Sequence, residues 1–175
     1  WWTFEGQVFQ DWRRDPLDGE PENAKHIIKP FTIPSFWPRI LAIDWGYDAL
    51  TYSLWGAVSP DGRLYIYREY GVEREKVAVW GSAVSDLNGG DHLSDIVMDS
   101  TAFEERGEEH TLVEQFRDAS GLNPRKADKG AGSRISGKVL LQELLRWRQI
   151  PKTSVVEEYD DNRANTILRD EGVRA

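Results

Sequence analysis

The sequence predicts an α/β domain built on a mixed β-sheet that is flanked by helices. Three stretches rich in β-branched and aromatic residues come first, at 39–45, 51–58 and 63–70. Segments with helical periodicity then alternate with short apolar stretches, which is typical of parallel strands joined by crossover helices. We therefore expect three antiparallel leading strands followed by parallel strands.

The connection between the second and third strands predicts a hairpin. Its residues at 59–63 place Pro60, Asp61 and Gly62 in turn positions. Strict alternation along the third strand divides its side chains between two opposite faces of the sheet. The two sets are Leu64, Ile66 and Arg68 on one face, and Tyr65, Tyr67 and Glu69 on the other.

Six further elements follow the hairpin. Helices are predicted where apolar residues recur three and four positions apart, and strands where short apolar runs occur. The elements are a helix over 73–87, a strand over 95–99, a helix over 111–120, an edge strand over 123–128, a helix over 135–147 and a polar helix over 159–172. This order of elements is similar to that of ribonuclease-H-like folds.

Composition limits the classes of function. The 175 residues suit one ordinary domain, and a net charge of −8 gives no general attraction to nucleic acid. A polyanion would have to meet a local basic patch, or carboxylates bridged by metal ions. No apolar stretch is long enough to span a membrane, and no signal-peptide pattern opens the chain. The absence of cysteine excludes disulfides and thiolate metal sites, and favours a reducing cytoplasm.

Two aspartates stand at predicted strand ends. Asp44 follows the apolar run Ile-Leu-Ala-Ile, and Asp99 follows Ile-Val-Met. Strands that end side by side can bring two carboxylates within a few ångströms, where they repel each other unless a cation joins them. Such hard oxygen ligands favour Mg²⁺ or Mn²⁺, and two ions about 4 Å apart can catalyse phosphodiester cleavage. Strand-end aspartates also serve as helix caps or turn formers, and the pattern alone leaves both interpretations open.

Two other acidic residues near these strands have weaker signals. Asp48 lies in the turn before the second strand, where a turn role is favoured and an accessory metal role stays open. Glu69 lies near the end of the third strand and is interpreted as an exposed edge charge, with a contact to the metal site as the alternative that stays open.

The clearest basic cluster in this acidic chain lies between the edge strand and the helix after it. We interpret it as a sequence-independent contact with a DNA backbone, with ordinary surface charge as the alternative. Its residues are Arg125, Lys126, Lys129, Arg134 and Lys138. The segment Gly-Ser-Arg-Ile-Ser-Gly-Lys-Val at 132–139 nearly matches a phosphate-binding P-loop. It fails because Val139 cannot bind Mg²⁺ and no hydrophobic strand precedes it.

Several segments in the same order carry a family resemblance. They are FEGQVFQDW at 4–12, PFTIPSFWPRILAIDWG at 30–46, AVSPDGRLYIYREY at 57–70, DIVMDSTAF at 95–103 and ADKGAGSRISGKVLLQELL at 127–145. With these segments the whole chain resembles the nuclease portion of phage terminase large subunits, the DNA-packaging motor proteins. The resemblance implies a linker from a preceding ATPase domain over 1–38 and a ribonuclease-H-like nuclease domain over 39–175.

In that family three acidic residues bind two divalent metal ions, Mg²⁺ or Mn²⁺. The resemblance implies that Asp44 and Asp99 are the first two, and that Asp48 is at most an accessory ligand. The third acidic residue normally lies in a C-terminal helix, and no segment of this sequence matches it, so we expect the domain to be incomplete at its C-terminus. The aspartates at 160, 161 and 170 are better interpreted as solvated charges.

The resemblance also implies partners and a location. Double-stranded DNA, the terminase small subunit and the portal are the expected partners. ATP would act only in the preceding domain, and the expected location is the cytoplasm of the bacterial host.

Two other functions stay open. The Ile-Asp-Trp-Gly start at 43–46 is similar to the actin and sugar-kinase superfamily, which binds ATP. The domain could also be a catalytically silent docking module of the packaging motor.

Overall fold

The computed structural model of the protein describes residues 9, 11–20, 24–105 and 109–146, together with the backbone of four short strands after them. The chain divides into two compact units. We name Phe36–Lys129 the sheet unit, and the described residues of 1–35 and 130–175 the terminal unit.

The sheet unit is built on five strands in the order β3-β2-β1-β4-β5. Their bounds are β1 Arg39–Asp44, β2 Thr51–Val58, β3 Leu64–Val72, β4 Asp95–Met98 and β5 Arg125–Lys126. The first three strands are antiparallel neighbours, whereas β4 runs parallel to β1 and β5 parallel to β4. This arrangement confirms the predicted ribonuclease-H-like mixed sheet.

Two helices cover one face of this sheet. They are α1, Val77–Asn88, between β3 and β4, and α2, Leu112–Ser120, between β4 and β5. The rings of Trp80 and Phe116 stack at a centroid distance of 4.8 Å, so the helices touch through their largest side chains. Both rings are fully buried with alternate residues of β1 and β4. Burial of these apolar side chains is the main force that fixes the sheet against the helices.

The ends of α2 follow from its sequence. The Thr111 side chain accepts from the backbone of Glu114, whose carboxylate accepts from the backbone of Thr111, which forms a capping box. Gly121 ends the helix with a φ of +69°, a conformation that glycine adopts without strain. The predicted helix over 111–120 is therefore confirmed, with Thr111 as its cap.

β3 departs from strict alternation, and this corrects one prediction. The pairing of β2 with β3 shifts register between Trp55 and Gly56, so β3 contains an extra residue. Tyr67 and Arg68 consequently lie on the same face, and both contact Asp91. The prediction that Arg68 shares a face with Leu64 and Ile66, and Glu69 with the tyrosines, is wrong because it assumed an unbroken period of two.

The face of the sheet opposite the helices carries exposed apolar side chains. Leu64 and Ile66 of β3 are 39% and 52% exposed, and Ala42 of β1 is also exposed. Alternation along β1 places Ala42 and Asp44 on this face, since Leu41 and Ile43 are buried in the core. The first predicted acidic residue thus lies on the open face of the sheet.

The terminal unit contains α3 and four short strands. Their bounds are α3 Ser133–Leu145, β6 Arg148–Gln149, β7 Glu157–Tyr159, β8 Thr166–Leu168 and β9 Val173–Arg174. β7 pairs with β8 and β6 with β9, both antiparallel. The predicted polar helix over 159–172 is wrong at Thr166–Leu168, which form β8, because β-branched Thr166 and Ile167 favour a strand. Most of the remaining range lies outside the described residues.

Two features of the terminal unit bear on earlier predictions. Gly132 caps α3, and Gly137 and Lys138 lie inside the helix, which excludes a P-loop at this segment.

His26 accepts a hydrogen bond from the backbone of Arg13 at Nδ1, so its Nε2 donates to the carbonyl of Leu145 at 2.6 Å. The segment before the sheet unit is thereby joined to the end of α3. Within the described ranges, no helix has the length and apolar character needed to cross a membrane.

Candidate metal and nucleic-acid site

The ends of β1 and β4 bring Asp44 and Asp99 side by side. Ile43 is the register partner of Met98, and the backbone N–H of Asp99 donates to the carbonyl of Ile43 at 3.0 Å. Continuing this parallel register places Asp99 beside Asp44. Since Ile43 is buried in the core, alternation along β1 places Asp44 on the opposite, open face, whereas Asp99 follows the last residue of β4 and caps the turn after it. Their role as metal ligands stays a prediction.

Asp44 lies in a polar row across this end of the sheet. Its side chain is exposed, and its register partner on β2 is Tyr52. The Tyr52 hydroxyl donates to Glu69 Oε2 at 2.5 Å, and this hydrogen bond to a carboxylate raises the pKa of Tyr52. Glu69, expected to be an edge charge, is therefore held by Tyr52 on the same face as Asp44.

Asp99 has two oxygens with different partners. Oδ1 accepts from the backbone N–H of Thr101 at 2.7 Å and from its hydroxyl at 2.6 Å, which makes Asp99 the cap of the short 3₁₀ helix Ser100–Phe103. Oδ2 accepts a charge-assisted hydrogen bond from Lys129 Nζ. The turn-forming role left open by the sequence is thus present, and it leaves one oxygen facing a cation.

The pKa of Asp99 is strongly perturbed. Burial raises the pKa, because the carboxylate loses hydration there. The hydrogen bonds from Lys129 and Thr101 lower it by more than burial raises it, and the pKa is about 2. The Asp99 side chain is only 11% exposed, whereas that of Lys129 is 43% exposed. Asp99 is therefore an ionised carboxylate that is enclosed on most sides and neutralised by a lysine arriving from the surface.

The predicted basic cluster is divided between the two units. Arg125, Lys126 and Lys129 lie in the sheet unit, on β5 and the segment after it, whereas Arg134 and Lys138 are exposed residues of α3 in the terminal unit. Their DNA contact stays a prediction.

One arginine of this cluster is engaged within the sheet. Arg125 donates Nε and Nη2 to both oxygens of Asp95, at 2.6 to 3.1 Å, and this pairing lowers the pKa of Asp95. Arg125 therefore has an intramolecular partner, and Lys126 is the exposed basic residue beside it.

Asp48 lies apart from the two strand ends, in the loop after β1. Its carboxylate is 3.8 Å from the guanidinium of Arg74, and both side chains are more than 70% exposed. Arg74 has a φ of +53°, and its N–H donates to the carbonyl of Tyr47 at 3.3 Å. Asp48 therefore forms a loose surface pair between two loops, and its accessory metal role stays a prediction.

Sequence reasoning missed the contact between Lys129 and Asp99. The two residues are 30 positions apart, and no local motif joins them. The signal that could have found it is the parallel pairing of β4 with β5, which carries the segment after Lys126 alongside the segment after Met98. Within the described ranges, no group of three or more His, Cys, Asp or Glu side chains is arranged to hold a metal ion. The aspartates at 160, 161 and 170 lie outside those ranges.

Comparison with known proteins gives structural neighbours. No family model matches the sequence, and no curated protein matches it either. The nuclease domain of the P22 large terminase has a TM-score of 0.54 at 19% identity, covering 80% of this chain and 68% of that chain. The large terminase of a thermophilic bacteriophage has a TM-score of 0.51 at 12% identity, covering 93% of this chain and 40% of that chain. The fold predicted from the family resemblance is confirmed.

Proposed function

We propose that this chain is the metal-dependent endonuclease domain of a viral terminase large subunit, which cuts concatemeric double-stranded DNA into genome lengths. The observation that carries the proposal is the placement of Asp44 beside Asp99 at the adjacent ends of β1 and β4 in a ribonuclease-H-like sheet. The structural likeness to terminase nucleases supports the same assignment.

The donor set fits a divalent cation. Two carboxylates at adjacent strand ends repel each other unless positive charge lies between or beside them. Asp99 already binds a cation, the Lys129 ammonium, and keeps its charge to low pH. Asp44 and Asp99 would hold Mg²⁺ or Mn²⁺, and a third carboxylate, implied by the family resemblance, would complete a site for two ions. When bound, such ions supply an activated water and stabilise the leaving oxygen of a phosphodiester.

Thr101 would orient the metal ligand Asp99, and three exposed basic residues would bind the DNA. The two donors of Thr101 fix the orientation of the Asp99 carboxylate, so it meets an incoming ion in a defined direction. Lys126 is exposed beside β5 and would bind DNA phosphates without regard to sequence, as would Arg134 and Lys138. The terminase small subunit and the portal would be the protein partners, in the cytoplasm of the bacterial host.

A plasmid-nicking assay tests the proposal. The chain is incubated with supercoiled DNA and Mn²⁺, and nicked product is measured for the wild type and for Asp44→Asn and Asp99→Asn. Each substitution should abolish nicking, whereas Asp86→Asn, which removes an exposed carboxylate from α1, should preserve it. Cutting by both strand-end variants at the wild-type rate would overturn the assignment. ATP binding that survives both substitutions would instead favour the actin-like or kinase-like function.

A docking module without catalysis is the second candidate, and one observation favours it. Both oxygens of Asp99 have partners from the chain itself, so the fold is satisfied without any metal ion. Calorimetric titration of Mn²⁺ separates the two functions. A nuclease should bind Mn²⁺ in a manner that depends on Asp44 and Asp99.

A further inference from the structure

We propose that Lys129 is an exchangeable cation built into the candidate metal site. Its ammonium occupies Oδ2 of Asp99 while no divalent ion is bound, and it leaves when one binds. This inference rests on the proposed function, because it assumes that Asp44 and Asp99 bind metal. The role of Lys129 is then to occupy Asp99 until a divalent ion replaces it, which goes beyond ordinary surface charge and beyond contact with DNA.

The two oxygens of Asp99 are not equivalent. Oδ1 is held by the backbone and hydroxyl of Thr101, and the cap it forms starts a 3₁₀ helix whose Ala102 is fully buried in the core. Oδ2 faces Lys129, a side chain that is 43% exposed. A change of partner at Oδ1 would disturb the core, whereas a change at Oδ2 needs only the movement of a flexible side chain. The exchange is therefore confined to Oδ2.

The backbone keeps Lys129 close to Asp99 when its side chain moves away. Lys126 is the register partner of Met98, and the N–H of Ala127 donates to the carbonyl of Met98 at 2.8 Å. Lys129 follows two residues later, so its Cα stays near the edge of β4. Its four-carbon stem can still swing the ammonium by several ångströms.

Electrostatics give the direction of the exchange. A divalent ion between two carboxylates gains more from each than an ammonium does, because attraction scales with the product of the charges. Once bound, the ion repels the ammonium at this short range. Lys129 then becomes a free positive charge at the rim, where a DNA phosphate can bind it. The two roles of Lys129, ion pairing and DNA contact, would therefore follow one another.

Lysine acetylation read by mass spectrometry tests the displacement directly. The wild-type chain is treated with a water-soluble acetylating ester, with and without saturating Mn²⁺. Labelling of Lys129 should rise several-fold with Mn²⁺, and labelling of Lys126 should stay constant as an internal control. An unchanged or reduced labelling of Lys129, while calorimetry shows Mn²⁺ bound, would overturn the inference. Asp44→Asn should suppress the rise, since it removes one of the two ligands.

Calorimetry of a matched pair of variants tests the competition. Lys129→Met should bind Mn²⁺ roughly tenfold more tightly than the wild type, because the ion no longer displaces a resident charge. Lys126→Met, which removes the same charge three positions away, should change the affinity by no more than about twofold. Equal affinities of the two variants would overturn the inference and leave the proposed function intact. Mn²⁺ binding that does not depend on Asp44 or Asp99 would overturn both.

Discussion

Asp91 and Asp99 lie at opposite ends of β4, and each is paired with cations in a different way. Asp91 precedes the strand and binds Arg39 and Arg68, and the Tyr67 hydroxyl donates to it at 3.2 Å. Asp99 follows the strand and binds one lysine. The first aspartate joins β1, β3 and the loop before β4, whereas the second joins two neighbouring segments at the edge of the sheet.

The cations at Asp91 are held from more than one side. The Arg68 guanidinium lies 5.6 Å from the ring of Trp55 and 5.3 Å from that of Tyr67, and Arg39 lies 5.9 Å from Tyr67. A planar guanidinium stacked in this way loses much when it moves, whereas an ammonium on a flexible stem loses little. At these two aspartates, the arginines of Asp91 are held by aromatic rings as well as by the carboxylate, whereas the lysine of Asp99 has the flexible stem that the proposed exchange requires.

The largest effect should separate the two aspartates by activity. Asp99→Asn should lower the rate of Mn²⁺-dependent nicking by on the order of 100-fold or more, because it weakens the proposed metal site. Asp91→Asn should preserve the rate per folded molecule, since Asp91 lies at the other end of β4. The measurement is plasmid nicking at protein concentrations corrected for the folded fraction. Similar losses in the two variants would mean that the ends of β4 do not differ in function.

The free energy of unfolding should depend more on the ion pairs of Asp91 than on the ion pair of Asp99. Asp91→Ala leaves two arginines without their carboxylate, and its side chain is 20% exposed, so the free energy of unfolding should fall by about 2–4 kcal/mol. Lys129→Met removes one partner and leaves Asp99 with its two Thr101 donors, so it should cost less, about 1–2 kcal/mol. Urea unfolding followed by tryptophan fluorescence measures both. A larger loss for Lys129→Met would contradict the distinction between fixed and exchangeable pairs.

The pH dependence of stability should report Asp99. Its pKa of about 2 in the folded chain lies below the ordinary value near 3.9, so the folded form binds the proton less tightly than the unfolded form. The stabilisation is therefore complete above about pH 4 and is lost as the pH falls toward 2. Between these values the wild type should lose roughly 1–2 kcal/mol more than Asp99→Asn. Parallel curves from urea midpoints of the two proteins would show that Asp99 has an ordinary pKa.

Replacing the exchangeable cation by a fixed one sharpens the comparison further. Lys129→Arg keeps the charge but offers a planar fork that holds a carboxylate more firmly, so Mn²⁺ affinity should fall by roughly threefold. Lys126→Arg is the matched control and should leave the affinity unchanged. Calorimetric titration at constant ionic strength measures both, and a higher affinity for Lys129→Arg would contradict the proposed exchange.

The smallest effect should come from the loose pair of Asp48 and Arg74. Both side chains are largely exposed and 3.8 Å apart, so Asp48→Asn should change the free energy of unfolding by no more than about 0.5 kcal/mol. It should also leave Mn²⁺ affinity within about twofold. A large loss of affinity would instead assign Asp48 the accessory metal role that its sequence position leaves open.

The sheet was largely predictable from sequence because burial imposes an alternating pattern on each strand. The predicted bounds of β2, 51–58, agree with the structure, and β1 and β4 each differ by one residue. The extra residue in β3 was not predictable, because Tyr67 and Arg68 are compatible with either face until the partner strand fixes the register. The polar helix predicted over 159–172 failed at Thr166–Leu168, where propensity is weak and no apolar stripe supports a helix.

Only the two strand-end aspartates of the candidate site were predictable from the sequence, and their partners were not. Asp44 and Asp99 each follow an apolar run, a local signal that reads directly from the sequence. The cation at Asp99 and the two arginines at Asp91 come from residues 23 to 52 positions away. Such partners depend on which strands are neighbours and on how far a side chain reaches. A single sequence does not encode either quantity locally.

The cap at Asp99 has a consequence for the ion that the proposed metal site would bind. Because Thr101 occupies Oδ1, Asp99 can offer an ion one oxygen in a fixed direction, and not the two-oxygen grip of an unrestrained carboxylate. Ca²⁺ gains from bidentate carboxylates and tolerates irregular shells, whereas Mg²⁺ requires single oxygens at octahedral corners. A hydrogen bond that begins a turn of helix would thus favour the smaller ion at this corner of the sheet.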